Sequence, residues 1–298
     1  MFMADKHVEE LIKPFDDVAR SFKYNVTGLL STVTIPYELA CASAIDRHYQ
    51  RIFTAERIRS LNLDKKRTED KKSLDARRDR VAHEKADEKT VVFLKSGDGK
   101  NRIITDTCSF LDRAIKNQEF ANAAGELILQ GIVLIWGAFE VLSRDCFILH
   151  LNQSPSAIEL LTKDPIAKRR FELGKVPIEV LASYGYDLSK KMGTLLSEQQ
   201  DLSDLNSIKA IFEALFADDS NLKTALAIKD LRFLSLRRNL VVHRRGIIDD
   251  TYIRQTGCRQ KVGERLRVTP DDLFGHIKSI INVGNFVLTA SGKSADRK

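Results

Sequence analysis

The stretch LRRNLVVHRRG, residues 236–246, gathers Arg237, Arg238, Asn239 and His243, with Arg244 and Arg245 directly behind them. Two chemistries compete for it. Cations in a last helical turn hydrogen-bond the terminal carbonyls and suit the negative end of the helix dipole, and Gly246 is placed to stop such a helix. The same residues can also form an Arg/Asn/His site that cuts RNA. Which of these applies depends on where the helix points each side chain.

Leu231, Leu234 and Val241 recur at helical steps, and Arg238 takes the slot among them. Arg238 therefore faces a core or an interface, where an uncompensated guanidinium costs about several kcal/mol. It needs an acceptor. Glu140, the only acid inside the apolar run LILQGIVLIWGAFEVL (127–142), is the expected partner across two packed helices. Asn239 and His243 are four apart and share a face. Arg238 and His243 are five apart and diverge by roughly 140° around a regular helix. A compact site then needs a distorted last turn, long side chains that wrap around it, or a second chain. In a two-fold dimer across this helix, two copies of the motif would face each other.

The elements that must position these groups read as all-α. Apolar residues recur at helical spacing, sustained alternation is scarce, and there are six prolines. The first fifty residues suggest two helices broken around STVTIPYE, with Pro36 in the first turn of the second. Residues 55–89 alternate charges of both signs with few apolar residues, which predicts a long solvated helix or half of a coiled coil, with disorder as the alternative; the near balance of acids and bases speaks against a basic nucleic-acid arm. TVVFLKSGDGKNRIIT carries two short β-branched runs around Gly-Asp-Gly and predicts a small hairpin or loop; its GDGK lacks the spacing of a phosphate loop. Helices are expected over 104–117 and 120–151, with Ser154 and Pro155 starting a short one. Two or three more lie within 156–217, and the motif helix spans 222–245. The following IIDDTYIRQTGCRQKVGERLRV reads as irregular chain with one or two short strands. Thr269, Pro270 and the two aspartates after them open a final helix. The resulting organisation is an N-terminal helical extension over 1–100, a helical domain over 103–292 and a disordered tail over 293–298.

With 298 residues, 43% of them hydrophobic, the chain can bury one large core or two modest ones. A net charge of +7 and a pI of about 9.1 make a polyanion a plausible partner. Cys41, Cys108, Cys146 and Cys258 are scattered without C-x-x-C spacing and read as reduced, mostly buried thiols, which argues against zinc or a disulfide framework. No secretory apolar core opens the chain. The 127–142 run is short for a bilayer span and contains Gln130 and Glu140, so it reads as a buried helix. A cytoplasmic protein without a membrane span, metal or cofactor is expected.

RRNLVVHRRGIIDDTYI resembles the signature of the HEPN superfamily: an arginine, then four to six residues of which the first is polar, then histidine. Arg238, Asn239 and His243 fill that pattern. The likeness extends to VGERLRVTPDDL entering the last helix and to IWGAFEVLSRDCF as the helix paired with the motif helix. It is specific around 230–270 and covers roughly 103–292; the 55–89 segment lies outside the family pattern. It implies a helical bundle that dimerises through the motif helix and, in catalytic members, metal-independent RNA cleavage. His243 would be general acid or base, Arg238 would neutralise phosphate charge, and Asn239 would orient either of them. Glu140 would hold Arg238, while Arg237, Arg244 and Arg245 would contact RNA. A toxin or phage-defence endoribonuclease follows, with a cognate antitoxin or other defence protein as a further partner. The competing expectation is a non-catalytic dimeric scaffold or RNA-binding adaptor.

Overall fold

Pro36 does not stop the first helix. In a computed structural model that describes residues 15–63, 71–170, 177–199 and 202–295, helix α1 runs unbroken from Asp16 to Leu63 with Pro36 inside it. An interior proline costs a helix about 3 kcal/mol. Here Phe22, Val26 and Leu29 are buried before it and Ala40 and Ala44 after it, so burial on both sides offsets that cost. Among the described residues there is no strand, and the fold is all-α as expected.

The expected hairpin around Gly-Asp-Gly is also helical. Helix α2 (Lys71–Lys95) and helix α3 (Gly97–Ala114) are separated by Ser96 alone. The Ser96 hydroxyl accepts from the Gly99 amide at 3.0 Å and caps α3. A Cβ on Gly99 would overlap the Phe93 carbonyl, so the tight junction requires glycine. The β-branched Val91 and Val92 looked like strand, but they lie in the last turn of α2, and local capping overrides their propensity.

The chain divides into two compact units, 31–124 and 15–30 together with 125–295. In the first, side-chain contacts join α1 and α2 in an antiparallel sense, and Ala40, Ala44, Ala82 and Ala86 are buried. Tyr49 Oη lies 2.6 Å from His83 Nδ1, Arg57 meets Asp79 at 2.9 Å, and His48 stacks on Phe93. Glu56, buried in the seam, accepts from Lys89 at 2.5 Å and from Arg59 at 2.6 Å. The charged 55–89 segment is thus not one solvated helix. It contributes to both arms of a helical pair, and its residues 64–70 lie outside the described residues.

The second unit is organised around helix α4 (Gln118–Gln153). Leu129, Ile132, Ile135, Trp136, Phe139 and Leu142 are buried, so the apolar run is a core helix as expected. After a 3₁₀ turn at Pro155–Ala157 come α5 (Ile158–Lys163), α6 (Pro165–Arg170), α7 (Ile178–Ser183), α8 (Met192–Gln199) and α9 (Leu205–Leu215). These are more and shorter helices than the two or three expected. The helix expected over 222–245 is two: α10 (Ser220–Leu226) and α11 (Lys229–Arg244), broken where Ile228 turns extended. Instead of short strands, the next segment holds α12 (Asp250–Thr256), capped by the Asp249 side chain, and a single isolated bridge between Ile247 and Arg265. Helix α13 (Pro270–Ala295) closes the unit. Its start follows the sequence: Thr269 Oγ1 accepts from the Asp272 amide at 3.1 Å, and Asp272 Oδ2 accepts from the Thr269 amide at 3.1 Å. It extends into the stretch expected as a disordered tail, of which 296–298 lie outside the described residues.

All four cysteines are free, but only Cys146 is buried; Cys41 and Cys258 are half-buried and Cys108 is exposed. The expectation of mostly buried thiols fails because Cys108 sits on the outer face of α3. Among the described residues, α1 is long and apolar enough over an 18-residue window (mean hydropathy 1.3) to cross a bilayer by length and composition, and 17% of that window is buried.

Candidate functional site

Helix α11 carries the motif, and its neighbours fix where each side chain goes. Leu231, Leu234, Leu240 and Val241 are buried. Leu240 and Val241 join Leu129, Ile248, Tyr252 and Leu266 in one apolar cluster that ties α11 to α4, α12 and the loop before α13. Burial of that stripe sets the rotation of the helix.

Arg238 then points at α4. Its Nη2 lies 3.6 Å from Glu140 Oε2, with both side chains about one-fifth exposed (21% and 22%). The contact expected between these two helices is present. Arg238 Nη1 also donates to Asn239 Oδ1 at 3.1 Å, and Asn239 itself is exposed.

Arg237 turns the other way. Its Nη1 donates to His276 Nε2 at 2.8 Å and its Nη2 to Asp272 Oδ1 at 3.4 Å. A guanidinium has no lone pair to offer, so Nε2 is the acceptor and the imidazole proton sits on Nδ1, donated to Asp230 at 3.0 Å. Burial raises the Asp230 carboxyl, but hydrogen bonds from His276 and Ser279 outweigh it and hold the group below its ordinary value. The Asp272 carboxyl is also lowered on balance: burial raises it, and hydrogen bonds from Thr269 together with Arg237 more than compensate. Arg237, expected to contact RNA, is instead the centre of an internal chain, Asp230–His276–Arg237–Asp272, that fastens α11 to α13. Sequence reasoning did not find His276. The available signal was a histidine beside Leu273, Ile277 and Ile280 on the buried stripe of α13.

His243 stands at the opposite end of the helix, exposed, with no hydrogen-bond partner among the described residues. Arg245 follows in the left-handed conformation (φ 53°) and Gly246 likewise (φ 75°). The Gly246 amide donates to the Leu240 carbonyl at 3.0 Å, which ends the helix in a Schellman-type turn. The left-handed residue that stops the helix is thus Arg245, one position before the expected Gly246. Arg244 Nε reaches Asp249 Oδ2 at 3.4 Å.

These residues open onto a cleft of about 480 Å³ lined by His243, Arg244, Arg245, Ile247, Asp249 and Gly263 among others. Neither Arg238 nor Asn239 lines it. The structure groups His243 with Arg244 and Arg245, and Arg238 with Asn239 and Glu140. Because α11 stays regular to Arg244, one chain does not bring the two groups together. Among the described residues no group of three or more His, Cys, Asp or Glu could hold a metal ion. Compared with protein-family models, with curated proteins and with solved structures, the chain matches none.

Proposed function

We propose that this protein is a metal-independent endoribonuclease of HEPN type, acting in the cytoplasm in a toxin or phage-defence role. The observation that carries the reading is the exposed, unpartnered imidazole of His243 at the mouth of a cationic cleft, on the same helix as the Glu140-held Arg238. RNA supplies its own nucleophile. The 2′-oxygen attacks phosphorus as the bond to the 5′-oxygen breaks, leaving a 2′,3′-cyclic phosphate and a 5′-hydroxyl. His243 takes the 2′-hydroxyl proton or delivers one to the departing 5′-oxygen, an effect worth about 10²–10⁴ in rate. Arg238 offers planar donors to the phosphate oxygens. The roughly 140° between the two groups is closed by a second copy of the chain packed on α11, so that each composite site takes groups from both protomers.

Expression of the parent chain beside His243→Ala and Arg238→Ala tests this. Growth arrest and RNA fragments ending in cyclic phosphate are expected from the parent alone and in the presence of a chelator. Loss with chelator, or activity in His243→Ala, would refute the mechanism. A non-catalytic dimeric scaffold is favoured instead by one observation, the engagement of Arg237 and Arg238 by neighbouring helices, and it predicts that all three proteins are inert.

A further inference from the structure

The cleft beside His243 is one edge of a larger charged face. Residues 244–267 hold seven arginines and lysines against three acids, a surplus of four in a chain whose net charge is +7. Arg254, Arg259, Lys261, Arg265 and Arg267 are exposed. The backbone holds them in place. The Leu266 amide donates to the Gly246 carbonyl at 2.8 Å, the Ile248 amide to the Glu264 carbonyl at 3.0 Å, and the Gly263 amide to the Ile248 carbonyl at 2.9 Å. Gln260 pins the loop from within: its side chain donates to the Arg265 carbonyl and accepts from the Arg267 amide, both at 3.1 Å. Leu266 and Cys258 anchor the same loop in the apolar cluster under α11. The loop is therefore fixed against the end of the motif helix, and its cations are ordered around an open cleft.

Two of the three acids in the segment are already engaged, and the third, Asp250, stays exposed at the start of α12. Asp249 pairs with Arg244 and caps α12, Glu264 accepts from the Lys261 amide, and Glu126 of α4 pairs with Arg265. Arg259, Lys261 and Arg267 keep their charges outward. No Phe, Tyr or Trp side chain lines the cleft; its apolar members are Ile247, Ile248 and Val262. Such a lining suits a charged backbone better than a stack of bases.

We infer that the 257–267 loop and the end of α11 form a docking face for the sugar–phosphate backbone of single-stranded nucleic acid, complete on one chain and separable from cleavage. The inference rests on the nuclease reading for its choice of partner, but its test does not. Binding neutralises phosphates and releases counterions, so the affinity falls with salt at a slope of about −0.7 per contact for a single strand. By the same relation each contact contributes about fivefold at 0.1 M salt, and three together about a hundredfold.

The probe is a fluorescent single-stranded 2′-O-methyl oligoribonucleotide, which keeps the backbone charge and blocks 2′-oxygen attack. Binding by the full chain is measured by anisotropy over a salt series. Arg259→Ala/Lys261→Ala/Arg267→Ala is compared with Lys168→Ala/Arg169→Ala/Lys190→Ala, which removes the same charge from exposed positions elsewhere; circular dichroism checks that both fold. The loop triple is expected to lose about a hundredfold in affinity and to flatten the salt slope by about 2, with the control triple close to the parent. Equal losses in both triples, a parent that does not bind, or equal competition by polyglutamate at matched charge would overturn the inference. Binding that follows the expected pattern while unmodified RNA stays uncut would uphold the face and refute the nuclease.

Discussion

Glu140 and Arg238 make the sharpest test of how the motif helix is held. Both side chains are about one-fifth exposed and their charged atoms lie 3.6 Å apart. At an effective dielectric of 20, two unit charges at that separation attract by about 4–5 kcal/mol. Desolvation of both groups and residual screening cancel most of this, so the net coupling falls to about 1–2 kcal/mol, within the usual range for contacting residues. Each single change, Glu140→Gln or Arg238→Gln, removes one member of this half-buried ion pair and should cost about 2–3 kcal/mol. The double variant removes both charges and should cost less than the sum of the two by the coupling energy. Trp136, the one tryptophan in the chain, sits one turn before Glu140 and is 1% exposed, with its Nε1 donating to the Ser203 carbonyl at 3.2 Å. Its fluorescence in a urea titration reports on the unit that contains the pair. Strictly additive single changes, with a coupling below about 0.3 kcal/mol, would show that the contact does not position Arg238.

Two further changes probe each unit separately. A methyl group at Gly284 on α13 would lie 2.8 Å from Leu142 Cδ2 and from the ring of Phe22, so Gly284→Ala should destabilise by about 1–3 kcal/mol in the same Trp136 assay; no change in the urea midpoint would refute the close approach. In the other unit, burial and then Arg51 lower the pKa of His48 below 6.5, only partly opposed by Asp106. The folded state thus prefers the neutral ring stacked on Phe93, and its stability is full above pH 6.5 and declines as the pH falls through the lower folded value. Thermal melts between pH 7.5 and 5 should show this decline and His48→Phe should reduce it; identical pH profiles would refute it.

What the sequence made legible was local or strictly periodic. The Thr269–Asp272 cap is a short-range pattern, and its geometry follows from adjacent residues. The Arg238–Glu140 contact was legible because each residue is a charged exception on an otherwise apolar stripe, and two such exceptions of opposite sign have reason to meet. Pro36 misled because propensity is a weak preference that burial on both sides overrides, and the Val91–Val92 run misled because the exposed valines follow the helix they lie in up to the Ser96 junction. The break between α10 and α11 has no glycine or proline to mark it, and Ile228 caps α11 without a side-chain hydrogen bond. Arg237 was misread because its partner, His276, lies 39 residues later on another helix. Nothing in the motif itself distinguishes a cation that faces outward from one that braces the fold.

That difference shapes how the motif helix presents its ends. Side chains on opposite flanks, Arg237 toward His276 and Arg238 toward Glu140, hold α11 against two other helices, while Leu240 and Val241 seat its last turns in the apolar cluster. Rotation or sliding of α11 would break both polar contacts and expose the stripe together, so the helix has one arrangement available. His243 projects from its last turn and Arg245 from the turn that ends it, both on backbone fixed by the Gly246–Leu240 hydrogen bond. A group held this way needs little further ordering when a ligand arrives, and that lowers the entropic cost of binding. The side chains buried around the motif and the bare imidazole at its end are therefore complementary: the first fix a direction, and the second is what is pointed.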